Sequence, residues 1–249
     1  MQAYITLTRR ELGTFFYSWI GYVVIAGAVF LTGLSFVILL RQLQAEATPM
    51  PITEIFLSLC YWLIVLFSAP IITMRLFAQE KYSGTFETLM TTPVSDIAVV
   101  LAKFSAAIIF YMIMWLPLLF CILVLKYFSR GSNMLDPGTL GSTFLGIFLV
   151  GILYMSVGCF ASALTKNQIV AAMISFAIGL EFFFASYLNE PLAPQKSWEV
   201  EALNTVCILE QMKDFARGVV DTRYIAFYVT ASAFFLFLSY RVIESRRWK

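Results

Sequence analysis

Residues 18–40 read SWIGYVVIAGAVFLTGLSFVILL, an unbroken run of 23 residues without a charged side chain. About 20 apolar residues in an α-helix cross a hydrocarbon core, so this run predicts a membrane span. Arg9 and Arg10 precede it, as basic residues precede the core of a signal peptide. Such a core has only about 7–15 residues. We therefore expect the run to be retained as the first span.

The composition of the whole chain favours a membrane protein. Of its 249 residues, 60% are hydrophobic and 13% are charged, whereas soluble domains have about 45–50% and about 25%. Strands of a membrane barrel would alternate in segments of about 10 residues, so these longer runs predict an all-α membrane protein. The six predicted spans are Ser18 to Leu40, Ile55 to Met74, Ile97 to Leu125, Leu140 to Leu164, Ile169 to Leu188 and Tyr224 to Tyr240.

Several functional classes are disfavoured by the residues that the chain does or does not contain. It has no histidine, which argues against metal sites and proton relays inside the membrane. The four cysteines are scattered along the chain, which favours buried apolar positions over a disulfide framework. A net charge of +2 gives no basic excess for nucleic acid. We expect neither a cofactor nor a metal in this chain.

The distribution of charge predicts the orientation in the membrane. Ten of the 17 Lys and Arg residues fall on the side of the N-terminus and seven on the other side. The positive-inside rule then places both termini in the cytoplasm. Residues 1–14 mix apolar and basic side chains, which predicts an interfacial helix. Residues 189–223 form an outer segment, in which Ile208, Met212, Phe215 and Val219 predict an amphipathic helix.

The segment between the second and third spans is too polar for hydrocarbon and longer than a turn requires. Residues 75–95 read RLFAQEKYSGTFETLMTTPVS. Gly84 and Pro93 should interrupt any helix that continues from either span. Between them, residues 85–92 predict a short helix with Glu87 in its first turn and an apolar face made by Phe86, Leu89 and Met90. Such a helix could rest on lipid headgroups or dock in a groove of a cytoplasmic partner, and its spacing leaves both interpretations open.

This segment resembles the coupling helix of type-2 permeases of ATP-binding cassette (ABC) exporters, the ABC-2 family. The family pattern is Met-Arg-x-x-Ala-Glu-Glu-x-x-x-Gly-Thr-x-Glu-x-Leu-x-x-x-Pro, and the matching residues are Met74, Arg75, Ala78, Glu80, Gly84, Thr85, Glu87, Leu89 and Pro93. Gln79 stands where the pattern has its first acid. The stretches 164–178, 217–228 and 235–248 resemble the gliding-motility subgroup of the same family.

The resemblance implies a single permease domain over residues 1–249, with a cytoplasmic coupling segment at 75–96. It implies that the ATPase subunit contacts Arg75, Glu80, Gly84, Thr85, Phe86, Glu87, Leu89, Met90 and Pro93. It also implies two ATPase subunits and a second permease that is identical or related, and the gliding-type resemblance allows an accessory protein with an outer domain. No GxxxxGK[ST] motif occurs in the chain, so we expect the partner to bind ATP and Mg²⁺. The expected activity is ATP-driven export across a bacterial cytoplasmic membrane.

Two charged residues in the predicted spans need an explanation. Glu181 lies deep in the fifth span, where an ionised acid costs about 2.5–3.5 kcal/mol on insertion scales. We expect it to belong to the transport path or the permease interface, or to be a protonated or hydrogen-bonded structural acid. Lys103, near the start of the third span, is expected to extend towards the headgroups.

Three other classes of protein compete with an exporter. A non-transporting scaffold could use the same ATPase to act on an envelope or motility protein. An intramembrane enzyme would need a catalytic constellation that this chain does not show. A secondary transporter would not require the polar segment at 75–96 and would work without ATP.

Overall fold

The computed structural model describes residues 2–45, 59–86, 95–128, 136–186 and 207–247. These ranges form helices joined by short turns and contain no strand. In chain order the helices are α1 (Gln2–Phe16), α2 (Trp19–Ala45), α3 (Leu59–Thr73), α4 (Ala78–Ser83), α5 (Asp96–Met114), α6 (Leu116–Phe128), α7 (Pro137–Leu164), α8 (Gln168–Ala185), α9 (Ile208–Ala216) and α10 (Thr222–Arg247).

Six helical segments of the described ranges are long and apolar enough to cross a membrane, which confirms the predicted number of spans. Two ends of the predicted spans, residues 55–58 and 187–188, lie outside the described residues. The six segments are Trp19–Arg41, Leu59–Ser83, Asp96–Tyr127, Pro137–Leu164, Gln168–Ala185 and Thr222–Ser245.

Side-chain caps at helix starts explain where three of the spans begin. Asp136 accepts a hydrogen bond from the backbone N–H of Gly138, just before Pro137 opens α7. Asn167 accepts from the N–H of Ile169 at the start of α8, and Ser95 caps α5 in the same way. Each cap satisfies a backbone donor that the first turn of a helix leaves without a partner.

The third span differs from the single helix predicted over Ile97 to Leu125. It consists of α5 and α6, with a break at Trp115. Pro117 has no N–H to donate to Ile113, and its ring would collide with that carbonyl group in a continuous helix. The Trp115 N–H instead donates to the Met112 carbonyl oxygen at 3.1 Å, which tightens the last turn of α5.

Helix α7 is the central helix of the bundle and packs against α3, α5, α8, α9 and α10. Its small residues allow this close approach, as at Gly158, where an added Cβ would lie 2.0 Å from Thr73 Oγ1 on α3.

Two ends of the bundle can be distinguished by the short helix that each contains. The α4 end holds α1, α4, the start of α2 and the carboxyl end of α7, and the α9 end holds α9 and the start of α7.

The predicted amphipathic helix at the α9 end is present as α9. Ile208, Met212 and Phe215 are completely buried on its inner face. Val219, predicted to belong to the same face, is 54% exposed. The helix ends at Ala216, and Gly218 adopts a left-handed conformation with φ of 90° that turns the chain away. The prediction for Val219 was therefore wrong.

Candidate functional site

The predicted coupling segment begins as a short helix that a glycine ends. After a turn over residues 74–77, α4 runs from Ala78 to Ser83 and stops at Gly84, whose φ is 75°. Residues with a Cβ are strained in this left-handed conformation, whereas glycine adopts it readily. The structure therefore confirms that Gly84 interrupts the helix. Helical structure resumes at Thr85 and Phe86. The next residues, among them Glu87, Leu89, Met90 and Pro93, lie outside the described residues.

Ser162 of α7 caps α4 from a neighbouring helix. Its hydroxyl oxygen accepts hydrogen bonds from the backbone N–H groups of Phe77 and Ala78 at 3.0 and 3.1 Å. The same hydroxyl donates to the Met74 carbonyl oxygen at 3.2 Å. One buried side chain therefore satisfies backbone groups on both sides of the turn that joins α3 to α4.

Lys81 makes a second connection between α4 and the carboxyl end of α7. Its side chain is buried, and Nζ donates to the carbonyl oxygen of Ala163, one residue before α7 ends. A cation is favoured at this place, because the last carbonyl groups of a helix lack partners within it. Together, Ser162 and Lys81 fasten α4 to the last turn of α7.

Four charged side chains from three helices form a charge cluster beside α4: Arg10, Glu11, Glu80 and Lys103. Lys103 Nζ lies 2.8 Å from Glu80 Oε1 and 3.1 Å from Glu11 Oε1. Arg10 lies 3.1 Å from Glu11 Oε1 and 3.5 Å from Glu80 Oε1. The Lys103 side chain is only 3% exposed, and its ammonium lies 5.4 Å from the centre of the Phe77 ring. The expectation that Lys103 extends to the headgroups was wrong, because two carboxylates hold it inside the protein.

Helix α1 lies along α5 instead of standing apart from the bundle. Phe15 stacks on Phe110 of α5 with ring centres 5.1 Å apart. The hydroxyl groups of Tyr4 and Ser105 are 2.5 Å apart. Together with the Glu11–Lys103 contact, these pairs join α1 to α5 along the length of α1. The charge cluster therefore connects α4 to two helices that already pack on each other.

A cavity of about 500 Å³, the α4 cavity, lies between the start of α2, the end of α3, and helices α1, α4 and α5. Arg75 lines it and donates through a terminal guanidinium nitrogen to Ser18 Oγ at 2.8 Å. Arg75 Nε is buried and has no hydrogen-bond partner among the described residues. Apolar residues of α2, α3 and α5 line the inner part, among them Ile20, Val24, Ile72 and Phe110.

The exposed surface of the predicted coupling segment differs from the apolar face expected from spacing. Phe86 is 9% exposed, and the Lys81 ammonium lies 5.3 Å from the centre of its ring. Tyr82 is 81% exposed and is followed by three more exposed residues, Ser83, Gly84 and Thr85. Among the described residues of the segment, the aromatic side chain available to a partner is therefore that of Tyr82.

The structure places Glu181 on α8, away from the α4 end. It is exposed and shares one stripe of α8 with Ile169, Met173, Ala177 and Phe184. No hydrogen bond or ion pair joins Glu181 to the described residues. One expectation for Glu181 was a structural acid held by hydrogen bonds within its own chain. The described residues do not show such hydrogen bonds.

Comparisons with known proteins bear on the central part of the chain. Residues 40–197, more than half of the sequence, match a family model described as ABC-2 family transporter protein. The match covers α3 to α8 and therefore the whole predicted coupling segment and Glu181. No curated protein matches the chain.

Proposed function

The chain belongs to the ABC-2 family of transporter proteins, as a membrane permease subunit that works with an ABC ATPase subunit, and we propose that it couples ATP hydrolysis by that subunit to export. The coupling segment is residues 75–96. ATP and Mg²⁺ are bound by the partner, and this chain supplies the membrane path and the surface that the partner moves.

The attachment of α4 to three other helices carries this proposal. Ser162 and Lys81 connect α4 to the end of α7, and Glu80 connects it to α1 and α5 through the charge cluster. Because these contacts hold the short helix from two sides, a force applied to its exposed end would move it together with these three helices. Rigid movement of packed helices is a common way for a small displacement to reach a distant site.

The proposed contact with the ATPase subunit is the exposed surface at the end of α4. Tyr82, Gly84 and Thr85 present an aromatic ring and backbone groups to the outside. Exposed aromatic residues with few interactions of their own are frequent anchors at protein interfaces. The resemblance also assigns Glu87, Leu89, Met90 and Pro93 to this contact, and these four lie outside the described residues.

A positioning role, in place of a direct contact with the ATPase subunit, is proposed for Arg75, Glu80 and Phe86. Glu80 is engaged by Lys103 and Arg10, Arg75 by Ser18, and Phe86 by Lys81. The resemblance gave all three to the ATPase interface. Their contacts within the chain support the view that they set the position of the exposed surface that the ATPase subunit touches.

A second permease, identical or related, is proposed to cover the stripe of α8 that contains Glu181. An ionised carboxylate that faces lipid within a span is costly, and pairing with another permease would remove that cost. Met173 and Phe184 on the same stripe are 65% and 56% exposed and supply apolar area on either side of the acid. In this arrangement Glu181 lies at the interface between permeases or on the path that opens there.

The proposed location is a bacterial cytoplasmic membrane, with the α4 end and both termini on the cytoplasmic side. This orientation follows from the excess of Lys and Arg on that side of the chain. It places the α4 end where an ATPase subunit can reach it. An accessory protein with an outer domain, and membership in the gliding-motility subgroup, are proposed on the resemblance alone.

The test is purification of the tagged full chain in mild detergent from the membrane in which it is made. We expect an ATP-hydrolysing subunit to co-purify, at two copies for every two permeases, as measured by native mass spectrometry. A chain that is isolated repeatedly as a monomer without any nucleotide-hydrolysing partner, although it remains folded, would contradict the proposal.

A further inference from the structure

The α4 cavity combines a charged outer part with an apolar inner part. Arg10, Glu80 and Arg75 line the outer part, near the ends of the spans, and Ile20, Val24 and Ile72 line the inner part. Val24 follows Trp19, the first residue of α2, by five residues. It therefore lies about 7–8 Å further along the helix axis. The polarity of the cavity therefore changes along the span, as it does from headgroup to acyl chain in one leaflet.

Exposed aromatic residues place the mouth of this cavity at the level of the headgroups. Tyr17, Trp19 and Tyr22, at the start of α2, are 91%, 87% and 61% exposed. Trp and Tyr are enriched at membrane–water interfaces because one part of each ring system is apolar and the other can form hydrogen bonds. The cavity opens beside these residues, since Ser18, Ile20 and Gly21 belong to its lining.

The charges of the lining favour an anionic ligand. Three basic residues, Arg10, Arg75 and Lys103, face two acids, Glu11 and Glu80. Both acids are already held by Lys103 and Arg10. Arg75 contacts a neutral hydroxyl and has no carboxylate partner among the described residues. Its planar guanidinium is suited to bind two oxygens of one phosphate group.

We propose that the α4 cavity binds an anionic phospholipid, with its phosphate on Arg75 and the beginning of an acyl chain along Ile20, Val24 and Ile72. Basic pockets between membrane helices on the cytoplasmic side are known to hold anionic headgroups. The volume of about 500 Å³ is within the usual range for a ligand site, roughly 300–1,000 Å³. The apolar inner part distinguishes a lipid from free phosphate, which would gain nothing from it.

A bound lipid would also touch the coupling segment. Leu76, Gln79, Glu80, Ser83 and Thr85 line the cavity from the side of α4. Occupancy would therefore fill the space between α4 and the start of α2. This inference does not depend on the ATPase contact, because lipid binding can be measured on the permease alone.

The test is native mass spectrometry of the full chain in mild detergent, with equal amounts of phosphatidylglycerol and phosphatidylcholine. We expect the chain to retain one phosphatidylglycerol in preference to phosphatidylcholine. Arg75→Gln should lower this retention at least about tenfold, because a charge-assisted contact is lost. Arg9→Gln is the matched control. It removes the same charge from an exposed position on α1 that does not line the cavity, and it should leave retention unchanged.

A second variant tests the apolar part. Ile20→Trp fills the inner part of the cavity and should lower retention although Arg75 is intact, so the inference can be tested even if Arg75→Gln does not fold. Millimolar inorganic phosphate should not displace the lipid. Equal retention of the two lipids, or equal losses in Arg9→Gln and Arg75→Gln, would overturn the inference. Displacement by inorganic phosphate, with no effect of Ile20→Trp, would identify a soluble phosphate as the ligand and overturn it as well.

Discussion

The two ends of α7 are held by different kinds of contact. At the α9 end, Met212 and Phe215 are completely buried, and Ser142 donates to the Phe215 carbonyl oxygen at 2.7 Å. At the α4 end, a serine hydroxyl, a lysine and the charge cluster make the connections beside a cavity of about 500 Å³. Close apolar packing resists small displacements, whereas polar groups can exchange one partner for another. This difference supports the proposal that the α9 end is a rigid support and that the α4 end transmits movement.

The largest expected effect is on stability at the α9 end. Phe215→Ala removes a completely buried ring from the contact between α9 and α7 and should destabilise the protein by about 3–5 kcal/mol. ATP hydrolysis per folded complex should remain unchanged, since the α4 end is intact. The measurement is the midpoint of thermal denaturation in detergent, together with the ATPase rate.

Phe237→Ala serves as the control for this change, because Phe237 is 57% exposed on α10. Its midpoint should stay close to that of the unmodified chain. A Phe215 variant that kept its stability but lost ATPase activity would reverse the roles assigned to the two ends.

The next effect is expected from Lys103→Met at the α4 end. The change removes the buried ammonium and leaves the exposed Arg10 as the basic partner of Glu11 and Glu80 in the charge cluster, which should cost about 3 kcal/mol. Unlike Phe215→Ala, it should also reduce ATP-driven transport while the ATPase subunit remains bound. The measurements are the free energy of unfolding and the rate of ATP-driven transport. Lys126→Met, which changes an exposed lysine near the end of α6, is the matched control for both. Normal coupling in a folded Lys103→Met complex would argue against the charge cluster as a connection.

A smaller effect is expected from Ser162→Ala. The backbone N–H groups of Phe77 and Ala78 would lose a common acceptor, at a cost of about 1–3 kcal/mol. Hydrogen exchange over residues 74–83 should increase while α9 stays protected. Ser245→Ala, at an exposed site on α10, should alter neither region. Uniform loss of protection in the Ser162 variant would mean that the two ends do not differ.

The smallest effect on stability is expected at the exposed surface at the end of α4. Tyr82→Ala removes an exposed ring and should change the free energy of unfolding by less than about 0.5 kcal/mol. Association with the ATPase subunit should nevertheless weaken, because an aromatic anchor is lost. The measurement is the fraction of ATPase subunit retained on the tagged permease at increasing dilution. Full retention would exclude Tyr82 from the interface.

The sequence predicted what depends on local composition. Runs of apolar residues are sufficient to locate spans, and the left-handed conformation at Gly84 follows from the conformational freedom of glycine. The break in the third span has a local signal in the sequence, Pro117. This signal was overlooked because Pro117 lies within a long apolar run. Helix α9 was found from the spacing of its apolar residues, and only Val219 was placed wrongly.

The charge cluster could not be predicted in the same way. Glu11 and Lys103 are 92 residues apart in the chain, and Glu80 is 23 residues from Lys103. Nothing in the spacing of these residues indicates that α1 lies along α5. The role of Ser162 was hidden for a similar reason, since a serine in a span is as well explained by close helix packing. Tyr82 was overlooked because the expected apolar face included Phe86, which the structure buries under Lys81.

The most direct measurement of the central claim is site-specific photocrosslinking in membranes that contain the whole complex. A photoreactive phenylalanine analogue at Tyr82 should crosslink to the ATPase subunit, and the yield should change with bound nucleotide. The same analogue at Tyr127, an exposed tyrosine near the end of α6, should not, because Tyr127 lies at the end of the third span that is remote from α4. Crosslinks from Tyr82 to lipid alone, with or without nucleotide, would contradict a coupling role for the α4 end.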